Sequence, residues 1–250
     1  MTSSASARTA LITGASSGIG AATALRLAEE GFDVVLGARR LERLEEVAAK
    51  SGGRAVQLDV ADPDSVDRFA AAVDHVDVLV NNAGIAVGLE KVGELTEDGV
   101  EKVWQTNVMG LLRVTQALLP RLESGGAGHI VNVGSVAGFE TYPGGAGYTA
   151  SKHAVRAITH TLRMELVGKP IRVTEIAPGH VETEFAVVRF GGDEQRAERV
   201  YEGFAPLRPD DVADCIAWAV TRPPNVNIDE IVVRPLAQAT ASLIARKQRD

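Results

Sequence analysis

The chain has a single cysteine in 250 residues and no excess of positive charge. Because a disulfide needs two cysteines, Cys215 cannot form one within the chain, and its place in an apolar helical pattern predicts a packing role. The net charge of −7 and the lack of a basic cluster argue against nucleic-acid binding. The five histidines are scattered without the spacing of metal ligands, so we expect no metal site.

Long apolar runs are also absent. No stretch approaches the roughly 18 apolar residues of a membrane span, and the opening MTSSASAR lacks the apolar centre of a secretory signal. We therefore expect a soluble, cytoplasmic protein without a membrane partner. Residues 1–8 are rich in serine and alanine, and we expect them to be flexible.

Short apolar runs alternate with helical patterns along the chain. Amphipathic segments such as 18–31 and 41–52 end at Gly31 and Gly52, where helices commonly stop. The runs between such segments are typical of strands buried on both faces: TALIT, FDVVLGA, RAVQLDV, VDVLVNN, HIVNVG, IRVTEIA and DEIVVRP. This alternation predicts an α/β Rossmann fold in one domain over residues 1–250, with a doubly wound, seven-stranded parallel sheet and helices on both faces.

A glycine-rich turn follows the first predicted strand. Its sequence, TGASSGIG from Thr13 to Gly20, lets the backbone turn sharply and bring a helix N-terminus close to a diphosphate. A tight connection without a ligand is the alternative. Because the turn lies between a strand and a helix, we interpret it as part of a nucleotide site.

The end of the second predicted strand indicates which nucleotide binds. An acid at this point is typical of NAD sites, whereas an arginine accommodates the 2′-phosphate of NADP. The strand ends in Ala38, Arg39 and Arg40, and a guanidinium holds a phosphate through two charge-assisted hydrogen bonds. We therefore predict NADP(H) as the cofactor. Two solvated arginines at the start of a helix are the alternative.

Ser135, Tyr148 and Lys152 are the candidate catalytic residues. Tyr148 and Lys152 are four residues apart in a helical pattern, so their side chains share one face. We expect the lysine to favour the phenolate, with a tyrosine pKa lowered by about three from its usual value near 10. Ser135 follows the predicted strand HIVNVG and would present its hydroxyl at a cleft. The Tyr-x-x-x-Lys spacing alone is common on helices, so this interpretation depends on the serine and the glycine-rich turn.

Together these motifs resemble the short-chain dehydrogenase/reductase family over essentially the whole chain. The resemblance implies that an alcohol and a carbonyl are interconverted by hydride transfer, with Tyr148 exchanging the proton and Ser135 bonding the same oxygen. The matching residues are Thr13–Gly20, Asp59, Val60, Asn81–Gly84, Asn107, Ser135, Tyr148, Lys152, Pro178, Gly179 and Thr183.

The resemblance also implies the cofactor contacts. Asp59 and Val60 would hold the adenine, segment 81–84 would brace the sheet beneath the cofactor, and Val181 and Thr183 would meet the nicotinamide carboxamide. The complete predicted cofactor site consists of Gly14, Ser16, Ser17, Gly18, Ile19, Gly20, Arg39, Arg40, Asp59, Val60, Asn82, Ala83, Gly84, Tyr148, Lys152, Pro178, Gly179, Val181 and Thr183. In the same family pattern Lys152 would also hold the nicotinamide ribose. Asn107 would be a fourth catalytic residue and would anchor a water that leads from this lysine to solvent.

The C-terminal third is similar to one branch of the family, the NADP-dependent serine and 3-hydroxy acid dehydrogenases. This similarity implies a short 3-hydroxy acid as substrate and a substrate lid over residues 183–205. Within the lid we predict that Arg189 pairs with the substrate carboxylate. Alternatively Arg189 is solvated or pairs with Asp193 or Glu194. A reductase of uncharged ketones or of a secondary-metabolite aldehyde is the alternative enzyme, and a non-catalytic NADP-binding sensor is a more remote one.

Two predicted helices have apolar side chains over much of their circumference, the helix of Tyr148 and the helix near residues 101–122. Such helices can pack on the sheet and against another subunit. The family resemblance implies a homotetramer. The tail, residues 235–250, either reaches a neighbouring subunit or is frayed.

Overall fold

The computed structural model describes residues 7–247. Of residues 1–8, which we predicted to be flexible, residues 1–6 lie outside the described residues, as do residues 248–250 of the predicted tail. Arg8 itself is held in place: its guanidinium lies 4.3 Å from the centre of the Phe32 ring, and its carbonyl accepts a hydrogen bond from the Asp33 amide.

The fold is one parallel sheet of seven strands, as the sequence predicts. The strand order is β3-β2-β1-β4-β5-β6-β7, so the order reverses between β1 and β4. In such sheets ligands bind in the crevice at this switch point, beyond the carboxyl ends of the strands. The strands are β1 Thr9–Thr13, β2 Asp33–Ala38, β3 Arg54–Gln57, β4 Val78–Asn81, β5 Gly128–Val133, β6 Ile171–Pro178 and β7 Glu230–Val233.

Helices connect the strands and cover both faces of the sheet. Short 3₁₀ turns at Val92–Glu94 and Val136–Gly138 and a π turn at Gln105–Met109 interrupt the connections. The α-helices are α1 Gly18–Glu29, α2 Leu41–Ser51, α3 Pro63–Ala71, α4 Glu97–Trp104, α5 Gly110–Ser124, α6 Ala146–Glu165, α7 Phe185–Arg189, α8 Glu194–Tyr201 and α9 Pro209–Val220.

Successive side chains of each strand enter opposite apolar layers. Ile12 packs in the layer beneath α1 and α9 with Leu27, whereas Leu11 packs in the layer beneath α3 and α5 with Leu118. Both layers are buried, which explains why the strand sequences are continuously apolar. Cys215 lies half-buried against the first layer, in agreement with a packing role.

The described part of the tail folds back onto its own chain. The Gln238 side chain accepts a hydrogen bond of 2.9 Å from the His180 amide, and the Lys247 amide donates one of 2.8 Å to the Gly203 carbonyl. Up to residue 247 the tail is therefore not frayed. Within residues 7–247, no helix combines the length and the apolar character needed to cross a membrane.

Candidate active site

A cleft of about 710 Å³ lies beyond the carboxyl ends of the strands, at the switch point of the sheet. Ser135, Arg189 and all predicted cofactor residues except Gly20 line it. Gly20 and Asn107 lie behind the cleft wall. The sequence motifs, which are spread over 170 residues of the chain from Gly14 to Thr183, therefore converge on one site.

The glycine-rich turn is held against the end of β4. Asn82 donates a side-chain hydrogen bond of 2.9 Å to the Thr13 carbonyl, and the Thr13 hydroxyl accepts bonds of 3.0 Å from the amides of Asn82 and Ala83. A Cβ on Gly20 would lie 2.5 Å from the side-chain nitrogen of Asn82 and from the Gly14 carbonyl oxygen. A glycine is therefore required at position 20, because any side chain would collide with the Asn82 side chain and with the backbone of the turn.

The two predicted arginines at the end of β2 are not equivalent. Arg40 donates a bond of 2.9 Å to Glu184 at the start of the lid and one of 2.8 Å to the Ser17 hydroxyl in the glycine-rich turn. Arg43 also binds Glu184. Arg39 lines the cleft, and its carbonyl accepts a bond from Gln57. Arg40 thus lies at the centre of a charged cluster that crosses the cleft.

Sequence reasoning missed Arg43 and Glu184. Arg43 follows Arg40 by three residues at the start of α2, and this helical spacing brings the two side chains close together. The spacing was the signal in the sequence that could have identified Arg43. No local pattern connects Glu184 with them, since 144 residues separate it from Arg40. Burial would raise the pKa of Glu184, but the hydrogen bonds from Arg40 and Arg43 hold it below its usual value.

Three of the four predicted catalytic residues, Ser135, Tyr148 and Lys152, line the cleft together. Ser135 lies at the end of β5, where its hydroxyl accepts a bond of 3.1 Å from the Ala137 amide. Tyr148 and Lys152 lie on α6, and the lysine Nζ is 5.9 Å from the centre of the tyrosine ring. This nitrogen donates a bond of 2.9 Å to the Val133 carbonyl. The helix therefore brings the phenol and the ammonium to the strand end that carries Ser135.

The pKa of Tyr148 shifts upward, so the predicted downward shift is wrong. Burial raises the pKa of Tyr148 above its usual value and Tyr142 adds to the shift, while Ser135 and Arg189 act in the opposite direction. Burial also lowers the pKa of Lys152 to about 8. The sequence argument counted the charge of the lysine and left out the loss of water around both groups, which is the larger effect here.

Asn107 lies in the π turn, behind the cleft wall. Its side chain exchanges hydrogen bonds with the Ile85 backbone, 2.8 Å to the amide and 2.9 Å to the carbonyl, and donates one of 3.0 Å to Ser151. A Cβ on Gly84 would lie 3.4 Å from the Asn107 oxygen and 3.7 Å from the Lys152 nitrogen. Asn107 is therefore close to Lys152, and its water-anchoring role stays a prediction.

Arg189 is the last residue of α7 and lines the cleft. Its Nε donates a bond of 2.8 Å to the Gly88 carbonyl, and its Nη1 donates one of 3.1 Å to the Tyr142 hydroxyl. The guanidinium carbon is 5.8 Å from the centre of the Tyr148 ring. Asp193, one of the alternative partners, instead caps α8. The lid thus places a fixed cation beside the candidate proton donor.

Further residues line the cleft, among them Phe185, an apolar residue of the predicted lid. Phe185 contacts the edge of the Tyr148 ring, with 5.5 Å between ring centres. His180, Ala241 and Arg246 also line the cleft, so the tail forms part of its wall. Among residues 7–247, no cluster of three or more histidine, cysteine or acidic side chains is arranged to hold a metal ion.

Residues 8–191 match the family of short chain dehydrogenases. The chain belongs to this family. It is an oxidoreductase, and its site geometry is assembled from the family motifs that the sequence contains. The resemblance inferred from those motifs is confirmed.

Known relatives cover nearly the whole chain. An uncharacterized oxidoreductase of Mycobacterium tuberculosis is 55% identical over 235 residues, 94% of each protein. An NADP-dependent 3-hydroxy acid dehydrogenase of Schizosaccharomyces pombe is 42% identical over 96% of this chain and 97% of its own length. Among solved structures, the closed form of a serine dehydrogenase complexed with NADP+ is 38% identical, with a TM-score of 0.91 over 96% of this chain and all of that one.

Proposed function

We propose that this oxidoreductase uses NADP(H) to interconvert the hydroxyl and the carbonyl of a short 3-hydroxy acid, such as serine, allo-threonine or 3-hydroxyisobutyrate. The observation that carries the proposal is the fixed guanidinium of Arg189 beside Tyr148. The similarity to a 3-hydroxy acid dehydrogenase and to a serine dehydrogenase supports it.

The residues of the nucleotide end fit NADP(H). Gly14 and Gly18 have φ angles of 68° and 54°, which favour glycine and leave backbone open to a diphosphate. A Cβ on Gly18 would lie 3.2 Å from Thr183, so a side chain would narrow the groove. Arg40 supplies the cation for a 2′-phosphate, and Lys152 is assigned to the nicotinamide ribose. When bound, NADP(H) donates or accepts the hydride.

Tyr148 is assigned to the proton transfer. Because burial raises its pKa, the phenol keeps its proton at neutral pH and can donate it to the oxygen of a carbonyl that is being reduced. Ser135 lies beside it and hydrogen-bonds the same oxygen. Lys152, with a pKa of about 8, is charged at neutral pH and favours release of the phenolic proton. Asn107 is assigned to the water that restores this proton.

Arg189 is assigned to the substrate carboxylate. A small acid offers little apolar area, so charge pairing must provide most of its orientation. The bonds to Gly88 and Tyr142 fix the plane of the guanidinium, and a fixed fork loses little freedom when it binds a carboxylate. The aromatic rings of Phe185 and Tyr142 line the same end and exclude water.

A matched pair of substrates tests this assignment. A 3-hydroxy acid and its methyl ester are assayed with the wild type, with Arg189→Ala and with Arg199→Ala, which removes an exposed arginine from α8. We expect Arg189→Ala to lose at least about tenfold in kcat/KM for the acid and to change little for the ester. Arg199→Ala should leave both substrates unaffected.

The alternatives give different results. If the wild type turned over the ester as well as the acid and Arg189→Ala affected both equally, a reductase of uncharged ketones or aldehydes would be favoured. A protein that binds NADPH but turns over neither substrate nor a wider panel of carbonyl compounds would be the non-catalytic sensor.

Assembly and location are also part of the proposal. We infer a homotetramer, as the family resemblance implies, and a location in the cytoplasm, as the sequence predicts. Exposed apolar side chains support an interface, among them Trp104 on α4, Met164 on α6 and the nearby Val167. Light scattering at several protein concentrations gives the mass of the assembly, and cell fractionation gives its location.

A further inference from the structure

Glu175 in β6 is fully buried, and the proposed mechanism does not use it. Neither of its carboxylate oxygens has a hydrogen-bond partner within residues 7–247. Burial of a carboxylate without hydrogen bonds is unfavourable, so this residue costs stability where an apolar one would not. The residue lies close to the active site, so a role there could offset the loss of stability.

Glu175 belongs to a polar row that crosses the sheet beneath α6. Asn81, Asn132, Glu175 and Glu230 are register partners in β4, β5, β6 and β7. Asn81 donates a bond of 2.9 Å to Asn132, which donates one of 2.9 Å to Thr159 of α6. The row lies next to the strand ends that form the cleft floor, and Glu175 is the carboxylate at its centre.

The Glu175 carboxylate packs against the strand end that receives Lys152. A Cβ on Gly134 would collide with the Glu175 Oε1. Gly134 follows Val133, whose carbonyl accepts the hydrogen bond of 2.9 Å from the Lys152 nitrogen. The carboxylate and the ammonium thus both lie against the backbone of residues 133–134, and both are buried where little water screens them.

The charged groups around Glu175 come from two elements. Arg156 and Arg163 lie on α6 with Lys152, and Glu230 lies on β7. The Arg156 Nη1 is 3.7 Å from the Glu175 Oε2, but the guanidinium forms its hydrogen bonds with Glu230, one of them 2.9 Å long. Glu230 takes the hydrogen bonds of Arg156, so Glu175 keeps only an ionic contact with that arginine, and its charge acts on Lys152 as well.

The direction of this interaction is consistent from both sides. Burial raises the pKa of Glu175, and Arg156, Lys152 and Arg163 act against that rise while Glu230 adds to it. Burial lowers the pKa of Lys152, and Glu175 acts against that fall. Each group therefore favours the charged form of the other.

We propose that Glu175 is a positioning residue, whose buried negative charge keeps Lys152 protonated and directed at the end of β5. It acts through the lysine and does not contact the substrate. The inference rests on the proposed function only for the role of Lys152; the coupling between the two residues can be measured without turnover.

The first test is the titration of Lys152 followed by NMR of the lysine Nζ labelled with ¹⁵N, with Lys152→Arg used to assign the signal. Glu175→Gln should lower the titration midpoint by about one pH unit, because it removes the negative charge. Glu175→Asp, which keeps the charge, should move it less. Glu165→Gln, which removes an exposed carboxylate from the same helix, should leave it unchanged. An unchanged midpoint in Glu175→Gln would overturn the proposal.

A second variant covers the case in which the glutamine variant does not fold. Glu175→Met has a similar shape and adds no unpaired amide to the core, so it should fold at least as stably as the wild type while still lowering the Lys152 midpoint. If Glu175→Met folded and the midpoint stayed in place, the proposal would fail. A merely structural role for Glu175 predicts the reverse pattern, lower stability with an unchanged midpoint.

Activity and cofactor binding separate this inference from the proposed function. If the charge of Lys152 is required for both, the alkaline limb of the kcat profile and of NADPH binding should move to lower pH in Glu175→Gln. A shifted lysine titration with unshifted NADPH binding would support the coupling and refute the role assigned to Lys152.

Discussion

Two clusters of charged side chains differ in exposure: one lines the nucleotide end of the cleft and the other lies beneath α6. At the nucleotide end, the side chains of Arg40, Arg43 and Glu184 are 45%, 50% and 43% exposed. Water and salt reach these charges, so each ion pair is weak and its partner can be exchanged. A phosphate of the cofactor can therefore replace the carboxylate of Glu184.

Beneath α6 the situation is reversed. The side chain of Glu175 is fully buried, and those of Arg156 and Glu230 are 26% and 24% exposed. Little water screens these charges, so their effect on neighbouring titratable groups is large. The exposed cluster is suited to binding and release of an anion, whereas the buried cluster is suited to setting the protonation of the catalytic groups.

The largest effect that would test this contrast comes from Tyr148, the buried acid. Tyr148→Phe should lower kcat by about 10²–10⁴-fold, because the proton donor is lost. NADPH affinity should stay nearly intact, since the ring still packs against Phe185. Steady-state kinetics and a fluorescence titration with NADPH give the two quantities. A variant that kept a tenth of the wild-type kcat would exclude Tyr148 as the acid–base group.

The second prediction concerns acid stability and another buried group, His129. Burial lowers its pKa to about 3, and its Nε2 lies 2.8 Å from the Thr174 hydroxyl. Below about pH 6.5 His129 binds a proton in the unfolded chain but not in the folded one. Its contribution to the free energy of unfolding is therefore complete above that pH and is lost as the pH falls towards 3. The full loss is on the order of 5 kcal/mol.

Denaturant unfolding between pH 7 and pH 4 measures this effect. His129→Gln should make the pH dependence less steep, because glutamine takes up no proton. The matched control is His75→Gln, which removes a half-exposed histidine next to Asp77. If both variants had the same pH dependence as the wild type, His129 would not control acid unfolding.

Arg40 provides the largest effect expected of the exposed cluster. Arg40→Ala should weaken NADPH binding by about 1.5–3 kcal/mol and spare NADH, because only NADPH carries the 2′-phosphate. Arg39→Ala is the control at the neighbouring position. Its effect on NADPH binding should be smaller, because of these two arginines it is Arg40 that binds Ser17 of the glycine-rich turn and Glu184 of the predicted lid. Equal losses for the two cofactors would argue against a phosphate contact, as would a wild-type preference for NADH.

The smallest effect is expected of Glu184. Glu184→Gln frees Arg40 and Arg43 from their carboxylate partner, so NADPH should bind about two- to fivefold more tightly while NADH is unchanged. The gain should shrink at high salt, where exposed charges are screened. Weaker NADPH binding in this variant would mean that Glu184 orients the arginines and does not compete for them.

Much of the fold could be predicted because its signals are local. Continuous apolar runs such as those of β1 and β4 identify buried strands, and Gly14 and Gly18 of the first turn are needed for their positive φ angles whatever lies around them. The spacing of Tyr148 and Lys152 follows from the helical repeat alone. These features depend on residues within one or two turns of each other, so the sequence by itself determined them.

The tertiary structure decided what depends on distant partners. The register of β6 and β7 places Glu175 beside Glu230, 55 residues further along the chain. The tertiary fold likewise brings Glu184 to Arg40, from which it accepts a hydrogen bond. Burial raised the pKa of Tyr148, where the sequence predicted a lowered one. Burial is a property of the packed site and of no single segment. Charges act through space and water is excluded only by packing, so the protonation of the site could not be inferred from the order of residues along the chain.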